Sequence, residues 1–193
     1  RREFIAGLAS VAVSPVVTQA EQSGSLPTIG FIGSSTAAAM APWVMAFAQR
    51  LLELGWVDGR TIKIKYLWAE GRNERYAEIA NDFVRSKVDV IVTYGTPPTR
   101  AAQQATASIP IIFAAAADPV GNGLVSSLAR PTGNITGLSL QQSDIVGKKL
   151  GLLRELIPNL QRLAVIENVG NPASVLEMSE VTSAAKKLGL QVI

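Results

Sequence analysis

The stretch VDVIVTYGTPPTR, residues 88–100, decides the fold because it predicts a buried strand that runs directly into a helix. Residues 88–92 are a nearly continuous β-branched run, interrupted only by Asp89. Such a run is typical of a parallel strand that helices cover on both faces.

The residues after this strand predict a sharp turn and the start of a helix. Gly95 permits backbone conformations that other residues avoid, and Thr96 is a favourable helix cap. Because Pro98 disfavours a helical conformation at Pro97, we expect the helix to begin at Pro98 and to reach about Ala107.

This strand end is also a candidate ligand site. In open α/β sheets, ligands bind beyond the carboxyl ends of the strands, where helix N-termini offer unpaired N–H groups to anions. We expect Thr93, Gly95, Thr96 and Thr99 to line the crevice, with the amides of Gly95, Thr96, Thr99 and Arg100 as donors. These few donors suit a small carboxylate better than a pyrophosphate, whereas an ordinary strand-to-helix turn remains the alternative.

Composition excludes several classes of function. The chain has 193 residues, 48% of them hydrophobic, no cysteine, no histidine and a net charge of only +3. The usual zinc, copper and haem sites, thiol nucleophiles and serine–histidine triads are therefore excluded, and we expect no cofactor and no catalysis. Without a basic block, nucleic-acid binding is not expected either.

Residues 1–20 resemble an export signal, with paired arginines followed by a mildly apolar run and a small residue. Arg1 and Arg2 before Phe4 are typical of a twin-arginine signal, which would make the protein periplasmic. An amphipathic N-terminal helix is the alternative interpretation. Residues 21–26 then predict a disordered start to the mature chain.

Strands and helices alternate along the remainder of the chain. Strands are predicted at residues 28–33, 62–66, 88–92, 110–114, 134–140 and 163–166, and a further one begins at residue 190. The second lies at a sheet edge, since its apolar residues alternate with lysines. The first helix is predicted to have an apolar face of Met40, Val44, Phe47, Leu51 and Leu54. The second helix, which Asn73 caps, is predicted to have an apolar face of Tyr76, Ile79, Ala80 and Phe83.

Alternating strands and helices predict an α/β fold with a doubly wound parallel sheet. We assign residues 27–140 to a first complete lobe, and residues 141–193, with a helix from Ser143, to the incomplete beginning of a second similar lobe. We expect a fragment of a longer protein with weak or absent ligand affinity, whose helices leave Leu150, Leu153 and Val181 exposed.

Asp118 lies at the end of the fourth strand, where it could receive a ligand's ammonium group. A short acid before proline is more often a turn former or a helix cap. The following Gly121-Asn122-Gly123 only weakly resembles a dinucleotide loop, because Ser126 replaces the third glycine.

Five stretches together resemble the substrate-binding proteins of ABC transporters, in the family of tryptophan-type and other aromatic amino-acid binders. They are RREFIAGL, ELGWVDGRTIKIKYLWAEGR, VDVIVTYGTPPTRAAQQAT, IPIIFAAAADPVGNGLVSSLARPTGNITGLS and ENVGNPAS. The resemblance implies a periplasmic-binding-protein fold of type I, with two lobes that close on a small solute and pass it to a membrane permease.

The resemblance also implies positions for the ligand. It assigns ligand contacts to the first, third and fourth strand tips and to the second lobe, at Ser34, Ser35, Gly95, Thr96, Asp118 and Asn168. We place Tyr94 nearest the ligand among the aromatic residues, while helix and strand packing is the favoured interpretation of Trp43 and Trp68.

The leading hypothesis is therefore a binding protein for an amino acid or a similar small carboxylate. The alternatives are an α/β nucleotide-binding enzyme, for which no GxxxxGK[ST] run is present, and the sensor domain of a transcription regulator. Which solute and which permease are involved does not follow from the sequence.

Overall fold

The computed structural model describes residues 25–131, 133–140 and 145–193. The export signal predicted at residues 1–20, the lobe boundary at residue 141 and the helix start at Ser143 lie outside the described residues. No helix in the described part of the chain combines the length and the apolar character that crossing a membrane requires.

Five parallel strands form the main sheet, as the α/β prediction requires. They are β1 (Thr28–Gly33), β2 (Lys63–Trp68), β3 (Val90–Thr93), β4 (Ile111–Ala116) and β5 (Ile135–Ser139). Their spatial order is β2-β1-β3-β4-β5, which places β2 at an edge as predicted. This is a doubly wound order, whose switch point lies between β1 and β3.

Helices pack on both faces of this sheet: α1 (Ala37–Glu53), α2 (Arg75–Arg85) and α3 (Thr96–Ala105). Neighbouring residues of a strand point to opposite faces. Phe31 and Val92 accordingly pack with α1, whereas Ile32 and Ile91 pack with α2 and α3. The doubly wound prediction is confirmed.

The second helix buries its predicted face completely. Tyr76, Ile79, Ala80 and Phe83 are all buried in the largest core cluster. Burying one large apolar side chain contributes roughly 1.5–3 kcal/mol, so this face anchors α2. In α1 only Met40 is fully buried, and Leu54, predicted on its core face, is exposed because it lies beyond the last helical turn.

Two helix starts differ from the sequence prediction. The N-cap of α2 is Glu74, and Asn73 makes no cap hydrogen bond there. Helix α3 begins at Thr96 instead of Pro98, with Gly95 as its N-cap in place of Thr96. Both prolines fit in the first turn because its N–H groups have no intrahelical partner.

A smaller unit follows the main sheet: α4 (Val146–Leu156), β6 (Arg162–Leu163), α5 (Pro172–Lys187) and β7 (Gln191–Val192). Strands β6 and β7 pair in parallel, and β6 is shorter than the predicted 163–166 stretch. We call residues 145–193 the second unit. Its helices bury Leu150 and Val181 in one cluster, so the expectation that these two are exposed is wrong.

A substitution in β5 tests the register of the sheet. An alanine Cβ at Gly137 would lie 2.1 Å from the Phe113 carbonyl oxygen of β4, where the paired backbone cannot move aside. We expect Gly137→Ala to lower the free energy of unfolding by about 1–3 kcal/mol, measured by urea denaturation.

The matched control is Gly147→Ala in α4, where nothing lies within 4 Å of the added Cβ. It is expected to be neutral or to stabilise the helix by about 0.5–1 kcal/mol. Equal destabilisation by both alanines would contradict the β4–β5 register.

Candidate functional site

A cavity of about 240 Å³ lies between the main sheet and the second unit. Ser34 after β1 and the turn from Tyr94 to Pro98 after β3 form one wall, and the loop and first turns of α5 form the other. The cavity thus lies at the carboxyl ends of β1 and β3, the switch point where open α/β sheets bind ligands.

The β3–α3 turn is built around Gly95. Its φ of 94° and ψ of 161° lie in a region that side chains rarely adopt, which explains glycine at this position. The Gly95 amide donates to the Ala115 carbonyl at 2.7 Å and ties the turn to β4. This amide, predicted as a ligand donor, is therefore already used, although Gly95 itself lines the cavity.

Two buried threonines hold the same turn from within. The hydroxyl of Thr99 donates to the Gly95 carbonyl at 2.6 Å, and its oxygen lies 2.7 Å from the Thr93 hydroxyl. Because Thr99 has one hydroxyl proton, Thr93 donates in that pair. Both side chains are fully buried and neither lines the cavity, so Thr93 and Thr99 support the turn and are not placed to contact a ligand.

Donors remain available on the cavity wall. The Thr96 amide begins α3, so it has no intrahelical partner, and no other partner lies within the described residues. Among the described residues, the Thr96 hydroxyl makes only a long 3.4 Å contact to the Ala117 carbonyl, and the Ser34 hydroxyl has only the Met40 sulfur, 3.7 Å away. Ser35, by contrast, does not line the cavity.

An aromatic pair lies at this wall. The rings of Trp43 and Tyr94 stack with centroids 6.4 Å apart and planes inclined by 26°. Tyr94 lines the cavity, and Trp43 packs on Tyr94 while remaining 59% exposed. Trp43 is therefore not the helix-packing residue that the sequence suggested. Trp68 does pack as expected, against the rings of Tyr66 and Phe31.

Asp118 does not line this cavity, so the structure separates it from the other predicted site residues. Its Oδ1 accepts the Gly121 amide at 2.9 Å, which makes it a turn former. It lines a second cavity instead, of about 510 Å³, together with residues of α4 and α5. Asn168, in contrast, is on the wall as predicted, and its Oδ1 accepts the Gly170 amide at 2.9 Å.

Sequence reasoning missed Tyr76, which it assigned only to the core. The side chain is 6% exposed and lines the cavity, and its hydroxyl has no hydrogen-bond partner in the described ranges. Burial raises its pKa, so the phenol stays protonated near neutral pH and can donate. Tyr76 lies in the first turn of α2, the helix that follows the end of β2, and this position was the available sequence signal for a place at the site.

Asn73 and Glu177 were also missed, although both line the cavity. The Asn73 side-chain amide reaches the Gly170 carbonyl at 3.4 Å and so joins the main sheet to the second unit. Glu177, in α5, has a side chain that is 25% exposed, with Lys149 Nζ 3.8 Å away. Neither role was visible in sequence because each depends on contact between distant segments.

The family model for ABC transporter substrate binding proteins matches residues 36–193. A tyrosine-binding protein of Clostridioides difficile is 37% identical over 147 residues, which are 76% of this chain and 42% of that protein.

Two solved structures support the same relationship. A conserved domain protein of Vibrio cholerae has a TM-score of 0.80 and 30% identity, over 88% of this chain and 56% of that one. An ABC domain of Streptococcus pneumoniae in complex with L-Trp has a TM-score of 0.75 and 27% identity, over 86% and 55%. The chain thus spans about half the length of these relatives.

The match of the family model over most of the chain, the parallel sheet and the cavity at its switch point agree with one another. This chain belongs to the ABC transporter substrate binding protein family.

Proposed function

We propose that this protein is the solute-binding component of an ABC importer and that it binds an amino acid in the cavity between the main sheet and the second unit. The observation that carries the proposal is the convergence of uncharged donors, each unpaired or held only by a long contact, at the β1–β3 switch point. The family is one of substrate binding proteins and one relative is named a tyrosine-binding protein, which favours binding without chemistry over a nucleotide-binding enzyme or a regulatory sensor.

A carboxylate fits the wall formed by the β3–α3 turn. The Thr96 amide and the protonated Tyr76 phenol can donate to an anionic oxygen as they stand. The Thr96 and Ser34 hydroxyls can donate by turning away from their long contacts to the Ala117 carbonyl and the Met40 sulfur. Hydrogen bonds to a charged acceptor are about twice as strong as neutral ones. The N-terminus of α3 adds roughly 0.3–1 kcal/mol through the helix dipole.

An aromatic side chain fits the same cavity best. Tyr94 presents a ring on the wall, and Trp43 stacks on that ring, which restricts its motion. An aromatic ligand ring adds about 0.5–1.5 kcal/mol by such contacts beyond its burial. One relative is named for tyrosine binding and another was solved with L-Trp, which supports an aromatic amino acid here too.

The proposed function also includes export of the protein and transfer of its solute to a permease. ABC substrate binding proteins act outside the cytoplasm, and a membrane permease would receive the solute from this one. We propose that the arginine pair at residues 1 and 2 directs twin-arginine export.

Replacing one of two neighbouring serines tests the cavity directly. We expect Ser34→Ala to weaken binding of L-tyrosine about 10-fold, because a donor to the carboxylate is lost. The control Ser35→Ala removes the same group one residue away, outside the cavity wall, and is expected to leave affinity unchanged. Calorimetric titration of the full-length variants measures both, and equal effects would contradict the assignment of Ser34.

Removing the ring behind Tyr94 tests the aromatic wall. Trp43→Ala is expected to weaken binding of L-tyrosine by a few-fold to about 10-fold, since Tyr94 loses its stacking partner. Trp56→Ala is the control, because Trp56 is similarly exposed but lines other surface cavities. The titration is followed by thermal shift and calorimetry; undiminished affinity in Trp43→Ala would remove the pair from the site.

Replacing Arg1 and Arg2 together by lysine tests the export route. The conservative change keeps the charge, yet twin-arginine recognition requires the arginines, so periplasmic yield should fall sharply. Cell fractionation and immunoblotting measure the yield, and an unchanged periplasmic amount would contradict the twin-arginine assignment.

A further inference from the structure

We propose that Glu177 receives the ammonium group of the ligand, so that the cavity selects amino acids over carboxylates that lack an amino group. This inference rests on the proposed function and names the residue that makes the cavity selective for an amino acid. The sequence suggested Asp118 as the residue that receives the ammonium group, and we assign that role to a residue of α5 in the second unit instead.

Glu177 differs from the other described residues of the cavity wall in its charge. Among the described residues that line the cavity, Glu177 is the only one with a charged side chain, and neither lysine nor arginine lines it. The opposite wall offers neutral donors instead, namely the Thr96 amide and the hydroxyls of Ser34, Thr96 and Tyr76. A zwitterion matches this distribution because its carboxylate meets donors and its ammonium meets a carboxylate.

The geometry of α5 explains why Glu177 lies on this wall. Residues three and four apart share one face of a helix. Ala173 and Ser174, in the first turn of α5, line the cavity, and Glu177 follows them by four and three residues. The same face therefore carries the carboxylate to the cavity, where the side chain is largely shielded from solvent.

The existing partner of Glu177 leaves the carboxylate able to bind another cation. Lys149 Nζ is 3.8 Å from Glu177 Oε1, beyond hydrogen-bond distance, and the lysine side chain is 53% exposed. A pair with one exposed partner and no hydrogen bond contributes little free energy. Glu177 lines the cavity and Lys149 does not, so a ligand ammonium in the cavity can reach Glu177 without meeting the lysine on the wall.

A ligand with a carboxylate but no amino group would be repelled by Glu177. Its carboxylate would enter a small cavity that already contains one carboxylate and, among the described lining residues, no cationic side chain. Like charges at short range in a partly buried site repel, and the repulsion is weakly screened. Glu177 thus contributes to selectivity both by attracting the amino acid and by excluding its deaminated analogue.

The test compares two ligands and two variants of the full-length protein by calorimetric titration. L-Tyrosine and desaminotyrosine differ in the amino group, and Glu177→Gln removes the charge with little change in shape. Glu180→Gln is the matched control, because Glu180 lies one turn further along α5 and lines the other cavity.

We expect Glu177→Gln to weaken L-tyrosine binding about 10-fold or more and to leave desaminotyrosine binding equal or tighter. Glu180→Gln should change neither. Equal loss for both ligands, or equal loss in both variants, would overturn the assignment of Glu177. Failure of the unsubstituted protein to bind any amino acid would instead overturn the proposed function, so the two failures are distinguishable.

Discussion

The turn after β3 depends on one set of buried hydrogen bonds, in which Thr93 donates to Thr99 and Thr99 donates to the Gly95 carbonyl. Each such bond contributes about 0.5–1.5 kcal/mol net, and leaving a buried hydroxyl unpaired would cost more. The set fixes Gly95 at a positive φ and lets α3 begin at Thr96. The unpaired Thr96 amide at the cavity is a consequence of this constraint.

Residues from both sides line the cavity, and the proposed site therefore gives the second unit a role in binding. The main sheet supplies neutral donors and the stacked pair of Trp43 and Tyr94, whereas the second unit supplies Asn168 and Glu177. Asn73 bridges the two through the Gly170 carbonyl. In the proposed function, a ligand that contacts both walls would favour their approach if it bound a closed arrangement better than an open one.

Local patterns were enough to predict most of the fold. The bounds of β1, the edge position of β2 and the buried face of α2 follow from apolar periodicity and are confirmed. The start of α3 was predicted two residues late because both prolines are accommodated where N–H groups are unpaired anyway. The division of the chain into lobes stays a prediction, since its boundary lies outside the described residues.

The site was predicted less completely, for physical reasons. Ser34, Tyr94, Gly95, Thr96 and Asn168 line the cavity because strand tips follow from strand positions. Asp118 and Thr99 do not line it, since their own local hydrogen bonds engage them. Trp43 and Glu177 became visible only through tertiary packing. Periodicity along one helix does not reveal which residue of another segment a side chain will meet.

A crystal structure of the full-length protein with L-tyrosine bound is the most direct test of the proposed binding site. The expected result is a ligand carboxylate within hydrogen-bond distance of the Thr96 amide and the Ser34 hydroxyl, with the ligand ring against Tyr94. A ligand seated instead in the cavity beside Asp118, or a carboxylate that faces away from the β3–α3 turn, would contradict it.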